Sequence, residues 1–114
     1  MTLALLILAY NEEQKIKEVV KKYIKNFEKV IVVNDCSKDS TSQILNELNV
    51  SYDNLNLIEN KKNLGAGKSF EIGMQEFINS DCKYLIKIDG DDQFNQKDVN
   101  KLIDFVNKEH FDYI

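Results

Sequence analysis

The stretch Leu3-Ala4-Leu5-Leu6-Ile7-Leu8, near the amino terminus, is apolar at every position. A strand that is buried on both faces consists of consecutive apolar residues, whereas a strand with one solvent-exposed face alternates apolar and polar residues. The run therefore predicts a strand covered by other elements on both sides. A similar run recurs at Val30 to Val33, and a further strand is predicted over Lys83 to Ile88, which is apolar except at Lys83 and Lys87. A more polar strand is predicted over Leu55 to Glu59, at an edge of the sheet.

Apolar residues at helical spacing separate these strands. Asn11 is predicted to cap the first helix, and Asp39 or Ser40 the second. A third helix is predicted over Ala66 to Ile78, a fourth begins after Asn95, and residues 112–114 are predicted to begin a fifth strand. The residues predicted to face inward from the helices are Ile16, Val19, Val20, Tyr23, Ile24, Phe27, Ile44, Leu45, Leu48, Phe70, Met74, Phe77, Val99, Leu102, Ile103 and Val106.

Strands that alternate with helices predict a mostly parallel sheet between two helical layers, a three-layer α/β/α arrangement. The chain of 114 residues is long enough for one domain with a single core, so residues 1–114 are predicted to form one domain. Right-handed crossovers favour the strand order 3-2-1-4, with a change of direction between strands 1 and 4. Ligands of such sheets bind beyond the carboxyl ends of the strands, at that point.

Polar residues cluster where each predicted strand ends, and the most acidic cluster is Asp89-Gly90-Asp91-Asp92-Gln93. In an extended chain Asp89 and Asp91 point to the same face, because side chains alternate along a strand. Two carboxylates near one point suit Mg²⁺ or Mn²⁺, which prefer oxygen ligands. Asp and Gly are also common turn residues, so a solvated acidic turn is the alternative interpretation of these residues taken alone.

Composition narrows the class of protein. The formal net charge of −4 argues against non-specific binding to nucleic acid. All fifteen basic residues are lysines, so phosphate contacts within the chain must come from lysine or from backbone amides. The first apolar run is shorter than the roughly twenty residues of a membrane span. Cys36 and Cys82 are predicted to be free thiols in a reducing compartment, which favours a cytoplasmic location.

Four blocks of the sequence resemble the family 2 glycosyltransferases, in the order and at the spacing of that family. They are Leu8 to Glu13, Val32 to Thr41, Asn63 to Lys68 with Gly73, and Ile88 to Gln93. The resemblance covers essentially the whole chain and is nearest to the branch of dolichol-phosphate-mannose synthases. It implies a GT-A fold, of which this chain is the nucleotide-binding half, a UDP- or GDP-sugar as donor, and a divalent metal, Mg²⁺ or Mn²⁺.

The resemblance also implies roles for individual residues. Asp35 is expected to read the nucleotide base, and Ala9, Tyr10 and Glu12 to form the floor and ribose side of the nucleotide pocket. An Asx turn at Asp35 and a plain helix start at Glu12 are the structural alternatives. The metal ligands implied are Asp91 and Gln93, with Asp89 on the metal or the ribose and Gly90 beside the nucleotide.

Gly65-x-Gly67-Lys68 opens the third helix, and free backbone N–H groups there, Gly67 and the Lys68 ammonium are predicted to meet the nucleotide or its phosphates. A plain turn with an exposed lysine is the alternative. Gly73 is predicted to allow close packing of that helix on the sheet.

We expect a glycosyltransferase whose acceptor is a lipid phosphate, a glycan or another hydroxyl. The acceptor half of the family has no counterpart in the sequence, so the catalytic base is expected beyond Ile114 and membrane contact only through regions not in this chain. A non-catalytic nucleotide-sugar-binding module is the first alternative, and a sugar nucleotidyltransferase the second. An unpaired edge along Tyr84 to Ile88 predicts homo-oligomers.

Overall fold

A computed structural model describes residues 3–90 of the chain, and these residues form four strands and three helices in strict alternation. The strands are β1 (Leu3–Ala9), β2 (Lys29–Asn34), β3 (Leu55–Glu59) and β4 (Tyr84–Asp89). The helices are α1 (Ile16–Tyr23), α2 (Thr41–Ser51) and α3 (Ala66–Ile78). The helix predicted after Asn95 and the strand predicted at residue 112 lie outside the described residues.

The four strands form one parallel sheet in the order β3-β2-β1-β4, as predicted. The strand β1 lies in the interior of the sheet, and residues 3–7 are completely buried because helices cover both faces. The register aligns Leu8 with both Val33 and Asp89, and Asn34 with Glu59. The carboxyl ends of the strands therefore meet at one edge of the sheet.

The two faces of β1 belong to different apolar clusters. Leu3, Leu5 and Ile7 pack with residues of α1 and α2, whereas Leu6 packs with β2 and with Ile72 and Phe77 of α3. The domain is thus a three-layer α/β/α arrangement over the described residues, which confirms the predicted fold class.

The predicted inward face of α3 is partly wrong. Phe70 is 38% exposed, and the buried positions of the helix are Ser69 and Gly73. A β-carbon added at Gly73 would lie 2.7 Å from Leu6 Cδ2 and closer still to Leu6 Cδ1. A residue without a side chain at this position lets α3 approach β1 closely, which confirms the predicted role of Gly73.

The first helix also differs from the prediction. It ends at Tyr23, and Ile24 and Phe27 are buried beyond its end. Asn11 does not cap it, because the N-cap position is Lys15 and no side chain bonds there. Both cysteines are free, and no helix within residues 3–90 has the length and apolar character needed to cross a membrane.

Candidate nucleotide-binding site

A cavity of about 510 Å³ lies at the carboxyl edge of the sheet, between the ends of β1, β2 and β4 and the start of α3. Its volume is within the range of small-molecule sites in proteins. The residues that line it are Leu8, Ala9, Tyr10, Glu12, Asp35, Asn63, Gly65, Ala66, Ser69 and Asp89. Five of the residues singled out from the sequence are among them: Ala9, Tyr10, Glu12, Asp35 and Asp89.

Asp35 is the most enclosed acidic group of this wall. It follows β2 directly, its backbone N–H donates to the Ala9 carbonyl, and the residue is only 6% exposed. The backbone N–H of Leu64 donates to Oδ1 at 2.8 Å, and that of Gly65 to Oδ2 at 2.9 Å. The Asn60 side chain adds a bond from Nδ2 to Oδ1 at 2.9 Å. The carboxylate therefore ties the loop of residues 60–65 to the end of β2.

These bonds set the charge state of Asp35. Burial alone raises the pKa of the carboxyl, because desolvation disfavours the charged form. Hydrogen bonds from Leu64, Asn60, Gly65 and Ser69 outweigh burial, and the pKa lies below its ordinary value of about 3.8. Asp35 is consequently a carboxylate at neutral pH.

The loop after β1 is fixed by its contacts with the loop after β2. Asn11 adopts a left-handed conformation, with φ of 52°, which Asn tolerates better than most residues. Its backbone N–H donates to Ser37 Oγ at 3.0 Å, and its Oδ1 accepts from the Lys38 N–H at 2.8 Å. Asn11 was predicted to cap α1, but its side chain instead joins the loop after β1 to the loop after β2. It is therefore not available to cap the helix.

A second set of bonds joins the same loops near Glu12. The Glu12 N–H donates to the hydroxyl of Thr41 at 2.8 Å, and Thr41 is completely buried. Asp39 Oδ1 accepts from the Thr41 N–H at 2.9 Å, whereas Ser40 makes no capping bond. Of the two predicted caps of α2, Asp39 is thus the one that bonds the helix start. Burial raises the pKa of Asp39, but bonds from Thr41 and from the Glu13 N–H outweigh it and lower the pKa.

The glycine-rich segment reaches the cavity through only part of its length. Gly65 and Ala66 line the cavity, and Gly65 has a φ of 89°, which favours glycine. Gly67 and Lys68 are exposed and do not line it. The Lys68 ammonium instead lies 3.4 Å from Glu71, one turn along the same helix.

Of the acidic cluster that follows β4, the structure describes Asp89 and Gly90. Asp89 lines the cavity, and the Lys87 ammonium lies 2.9 Å from its Oδ1. The Gly90 N–H donates to the Leu8 carbonyl at 2.8 Å, and a β-carbon at Gly90 would come within 2.9 Å of Glu12 Cγ. Gly90 thus stands beside Glu12 without lining the cavity.

The predicted metal ligands Asp91 and Gln93 lie outside the described residues. Within residues 3–90, no three His, Cys, Asp or Glu side chains are grouped closely enough to hold a metal ion. The Asp89 carboxylate is a suitable ligand for a divalent cation, since it is a hard oxygen donor and the residue lines the cavity.

Of the other lining residues, Leu8, Asn63, Gly65 and Ala66 belong to the blocks that resemble the family, although no site role was predicted for Leu8, Asn63 or Ala66, and Ser69 lies outside those blocks. Ser69 is 1% exposed, and its hydroxyl accepts from Asn60 Nδ2 at 3.1 Å. A small polar residue on the inward face of a predicted helix, where an apolar residue is usual, was the available signal for Ser69. Asn63 lies in a predicted loop, where asparagine is common, so its one signal was its place in the block Asn63 to Lys68.

Comparison of the sequence with known proteins identifies its family. A sequence model of Glycosyl transferase family 2 matches residues 4–114. An uncharacterised protein of Methanocaldococcus jannaschii is 40% identical over 86% of this chain and 44% of its own length. The UDP-N-acetylglucosamine–dolichyl-phosphate N-acetylglucosaminyltransferase of Methanococcus voltae is 30% identical over 96% of this chain and 49% of its own length. The chain therefore spans less than half the length of these two relatives.

The fold is similar to that of solved glycosyltransferases. The structure of residues 1–349 of TarS, the poly(ribitol-phosphate) β-N-acetylglucosaminyltransferase of Staphylococcus aureus, superimposes with a TM-score of 0.77 at 27% identity. The match covers 96% of this chain and 33% of TarS 1–349. The complex of TarS with UDP superimposes equally well, at 26% identity.

Proposed function

Because the chain belongs to glycosyl transferase family 2, we propose that it binds a nucleoside-diphosphate sugar at the carboxyl edge of its sheet and serves in transfer of the sugar to an acceptor. One observation carries the proposal: Ala9, Tyr10, Glu12, Asp35 and Asp89, which are far apart in sequence, line a single cavity. The UDP complex of the TarS relative supports a uridine nucleotide as one candidate donor.

The orientation that we propose puts the base near Asp35 and the diphosphate near Asp89. Asp35 lies in the wall formed with α3, and Asp89 lies at the end of β4. Ala9 ends β1, which lies between β2 and β4 in the sheet, and Tyr10 and Glu12 follow it directly, so these three residues would contact the ribose. Gly67, Lys68 and Gly90 remain predicted contacts from outside the cavity wall.

We assign the metal site to Asp89, Asp91 and Gln93, with Mg²⁺ or Mn²⁺ as the ion. When bound, the ion would offset negative charge on the departing diphosphate by Lewis-acid stabilisation. The Lys87 ammonium donates to Asp89 Oδ1 at 2.9 Å, so the other carboxylate oxygen would be the one available to the ion.

The acceptor class that we propose is a lipid phosphate, a glycan or another hydroxyl. The names of two relatives support this range: one transfers to dolichyl phosphate and the other to poly(ribitol phosphate). Action on a lipid phosphate would take place at a membrane surface, and the cytoplasmic face is the location that we propose.

Titration calorimetry with UDP and GDP, with and without Mn²⁺, tests the nucleotide and metal assignments together. We expect one of the two nucleotides to bind and Mn²⁺ to strengthen the binding. Asp91→Asn should weaken the Mn²⁺-dependent binding by about tenfold or more, since even outer-shell partners of metal ligands are worth roughly that factor. Asp81→Asn, which changes an exposed carboxylate before β4, is the matched control and should have no effect.

The possible results separate the two assignments. Nucleotide binding that is insensitive to a chelator and to Asp91→Asn would contradict the metal assignment but would leave the nucleotide-pocket assignment standing. A protein that binds neither nucleotide would overturn the proposed function. Release of nucleoside diphosphate from a UDP- or GDP-sugar would distinguish an enzyme from a non-catalytic binding module.

A further inference from the structure

Three consecutive backbone N–H groups after β1 donate to side chains of the segment that follows β2. The Glu12 N–H donates to the Thr41 hydroxyl at 2.8 Å. The N–H groups on either side of it donate to Ser37 Oγ at 3.0 Å and to Asp39 Oδ2 at 3.3 Å. Thr41 is completely buried, whereas Ser37 and Asp39 are partly exposed. Because a hydrogen bond that is shielded from water is stronger than one that water can replace, the bond to Thr41 contributes most to the position of this loop.

The Glu12 side chain has a second contact, with the residue that follows β4. A β-carbon added at Gly90 would lie 2.9 Å from Glu12 Cγ, so the aliphatic part of Glu12 packs against a backbone that carries no side chain. The Gly90 N–H is itself held by the Leu8 carbonyl at 2.8 Å. Glu12, which lines the cavity, is therefore held through its backbone by the start of α2 and packed through its side chain against the end of β4.

We propose that Thr41 is a positioning residue for the ribose of the nucleotide. Its buried hydroxyl holds the Glu12 backbone so that the Glu12 carboxylate accepts a hydrogen bond from a ribose hydroxyl, and the site therefore prefers ribonucleotides to deoxyribonucleotides. A carboxylate only accepts hydrogen bonds, and a hydroxyl can donate one, so the two groups match. Thr41 does not line the cavity and acts through Glu12. The inference rests on the proposed nucleotide pocket and deepens it.

The ratio of two affinities, measured on the same protein, tests this assignment. The ligands are UDP or GDP, whichever the wild type binds, and its 2′-deoxy and 3′-deoxy forms, all with Mn²⁺. We expect the ribonucleotide to bind about tenfold more tightly than at least one deoxy form, the usual worth of a hydrogen bond to a charged group. Thr41→Val keeps the shape of the side chain but removes the hydroxyl. It should weaken the ribonucleotide by about tenfold and leave that deoxy form within about twofold.

Three further variants complete the design. Thr41→Ser keeps the hydroxyl and should keep the wild-type ratio. Ser40→Ala removes the neighbouring exposed hydroxyl, which makes no capping bond, and should change neither affinity. Glu12→Ala should lower the ratio as Thr41→Val does, and the double variant should lower it no further, because both changes remove the same contact. A ratio is also insensitive to partial unfolding of a variant, since both ligands meet the same active fraction.

Each result has a defined consequence. If Thr41→Val weakened the ribonucleotide and its deoxy forms by the same factor, Thr41 would have a general structural role and the proposal would be overturned. Equal behaviour of Thr41→Val and Thr41→Ser, or additive effects in the double variant, would overturn it as well. A wild type that binds the nucleotide but does not discriminate against either deoxy form would exclude the ribose contact. A wild type that binds neither UDP nor GDP would overturn the nucleotide pocket itself, which is a different failure.

Discussion

A carboxylate that is 6% exposed is costly to bury unless its oxygens are bonded, and Asp35 shows how this fold meets that requirement. Two of its donors are backbone N–H groups, from Leu64 and Gly65, that precede α3. The residue that closes β2 thus also fixes where α3 begins. The position of one side chain therefore sets the distance between two walls of the cavity.

The lowered pKa of Asp35 makes stability depend on pH in a defined direction. In acid the unfolded chain takes up the proton first, because its carboxyl titrates near 3.8 whereas the folded one titrates lower. The contribution of Asp35 to the free energy of unfolding is therefore complete when the pH is above the pKa of this group in the unfolded chain. It is lost as the pH falls through the pKa of the group in the folded protein. We expect the free energy of unfolding to decrease as the pH falls from about 5 toward 3.

Asp35→Asn isolates this contribution in urea unfolding. It should lower the free energy of unfolding at pH 7, and the difference from wild type should shrink as the pH approaches 3. Asp81→Asn, at an exposed site, gives the baseline for removal of a carboxylate. A difference that stays constant between pH 7 and pH 3 would show that the charge of Asp35 contributes nothing to stability.

Prediction from sequence succeeded or failed at single residues for physical reasons. Asn11 was predicted as a cap because asparagine suits the N-cap position, but the same side chain also suits a left-handed turn. Its partners, Ser37 and Lys38, are 26 and 27 residues away, so local sequence could not reveal the choice. Asp35 was placed correctly at the cavity, yet its donors come from a loop whose path depends on the whole sheet.

At the scale of elements, β1 and β2 were predictable because burial on both faces leaves a continuous apolar run. The bounds of β3 and α3 were predicted as observed, and those of β1, β2 and β4 to within one residue at every end. The inward face of α3 was less predictable. Phe70 was taken as buried because it is apolar, but Gly73 and Ser69 face the sheet and let the helix come close.

The close approach of α3 to β1 at Gly73 can be tested with a pair of glycine variants. Gly73→Ala should destabilise the protein by about 1–3 kcal/mol, the usual cost of overpacking, because the new methyl group overlaps with the fully buried Leu6. Gly67→Ala, in the same helix with no atom within 4 Å, should instead stabilise by up to about 1 kcal/mol through helix propensity.

Thermal or urea unfolding measures both glycine effects. Adding Leu6→Val to Gly73→Ala should recover part of the loss, since a smaller side chain makes room for the methyl group. If Gly73→Ala were as stable as Gly67→Ala, the spacing between α3 and the sheet would not be set at this glycine.

At the scale of the whole molecule, alternation of strands and helices was enough to predict the strand order, because parallel strands and right-handed crossovers leave few topologies. The order in turn predicts where polar residues converge, and the cavity lies there. The exact lining could not be predicted, since it depends on how loops 10–15, 34–40 and 60–65 pack against each other. Asn63 and Ala66 were indicated only as members of the block Asn63 to Lys68, and Ser69 entered the site only through that packing.

Self-association through β4 remains a prediction, and the sheet topology gives it a definite geometry. Within residues 3–90, β4 pairs with β1 on one side and with no strand on the other. Unpaired edges invite pairing with a second chain, and homo-oligomers most often have two-fold symmetry. A two-fold axis at this edge would pair two copies of β4 antiparallel and so join the sheets of the two chains. The exposed Lys83 and Lys87 would oppose this pairing only in part.

Sedimentation equilibrium at high micromolar concentration tests this arrangement. We expect the wild type to sediment as a dimer and Tyr84→Lys to shift the equilibrium toward monomer, because an added charge on the edge strand opposes pairing. Val50→Lys adds the same charge on α2, where the residue is 86% exposed and distant from β4, and should leave the dimer intact. A wild type that is monomeric at this concentration would contradict the prediction.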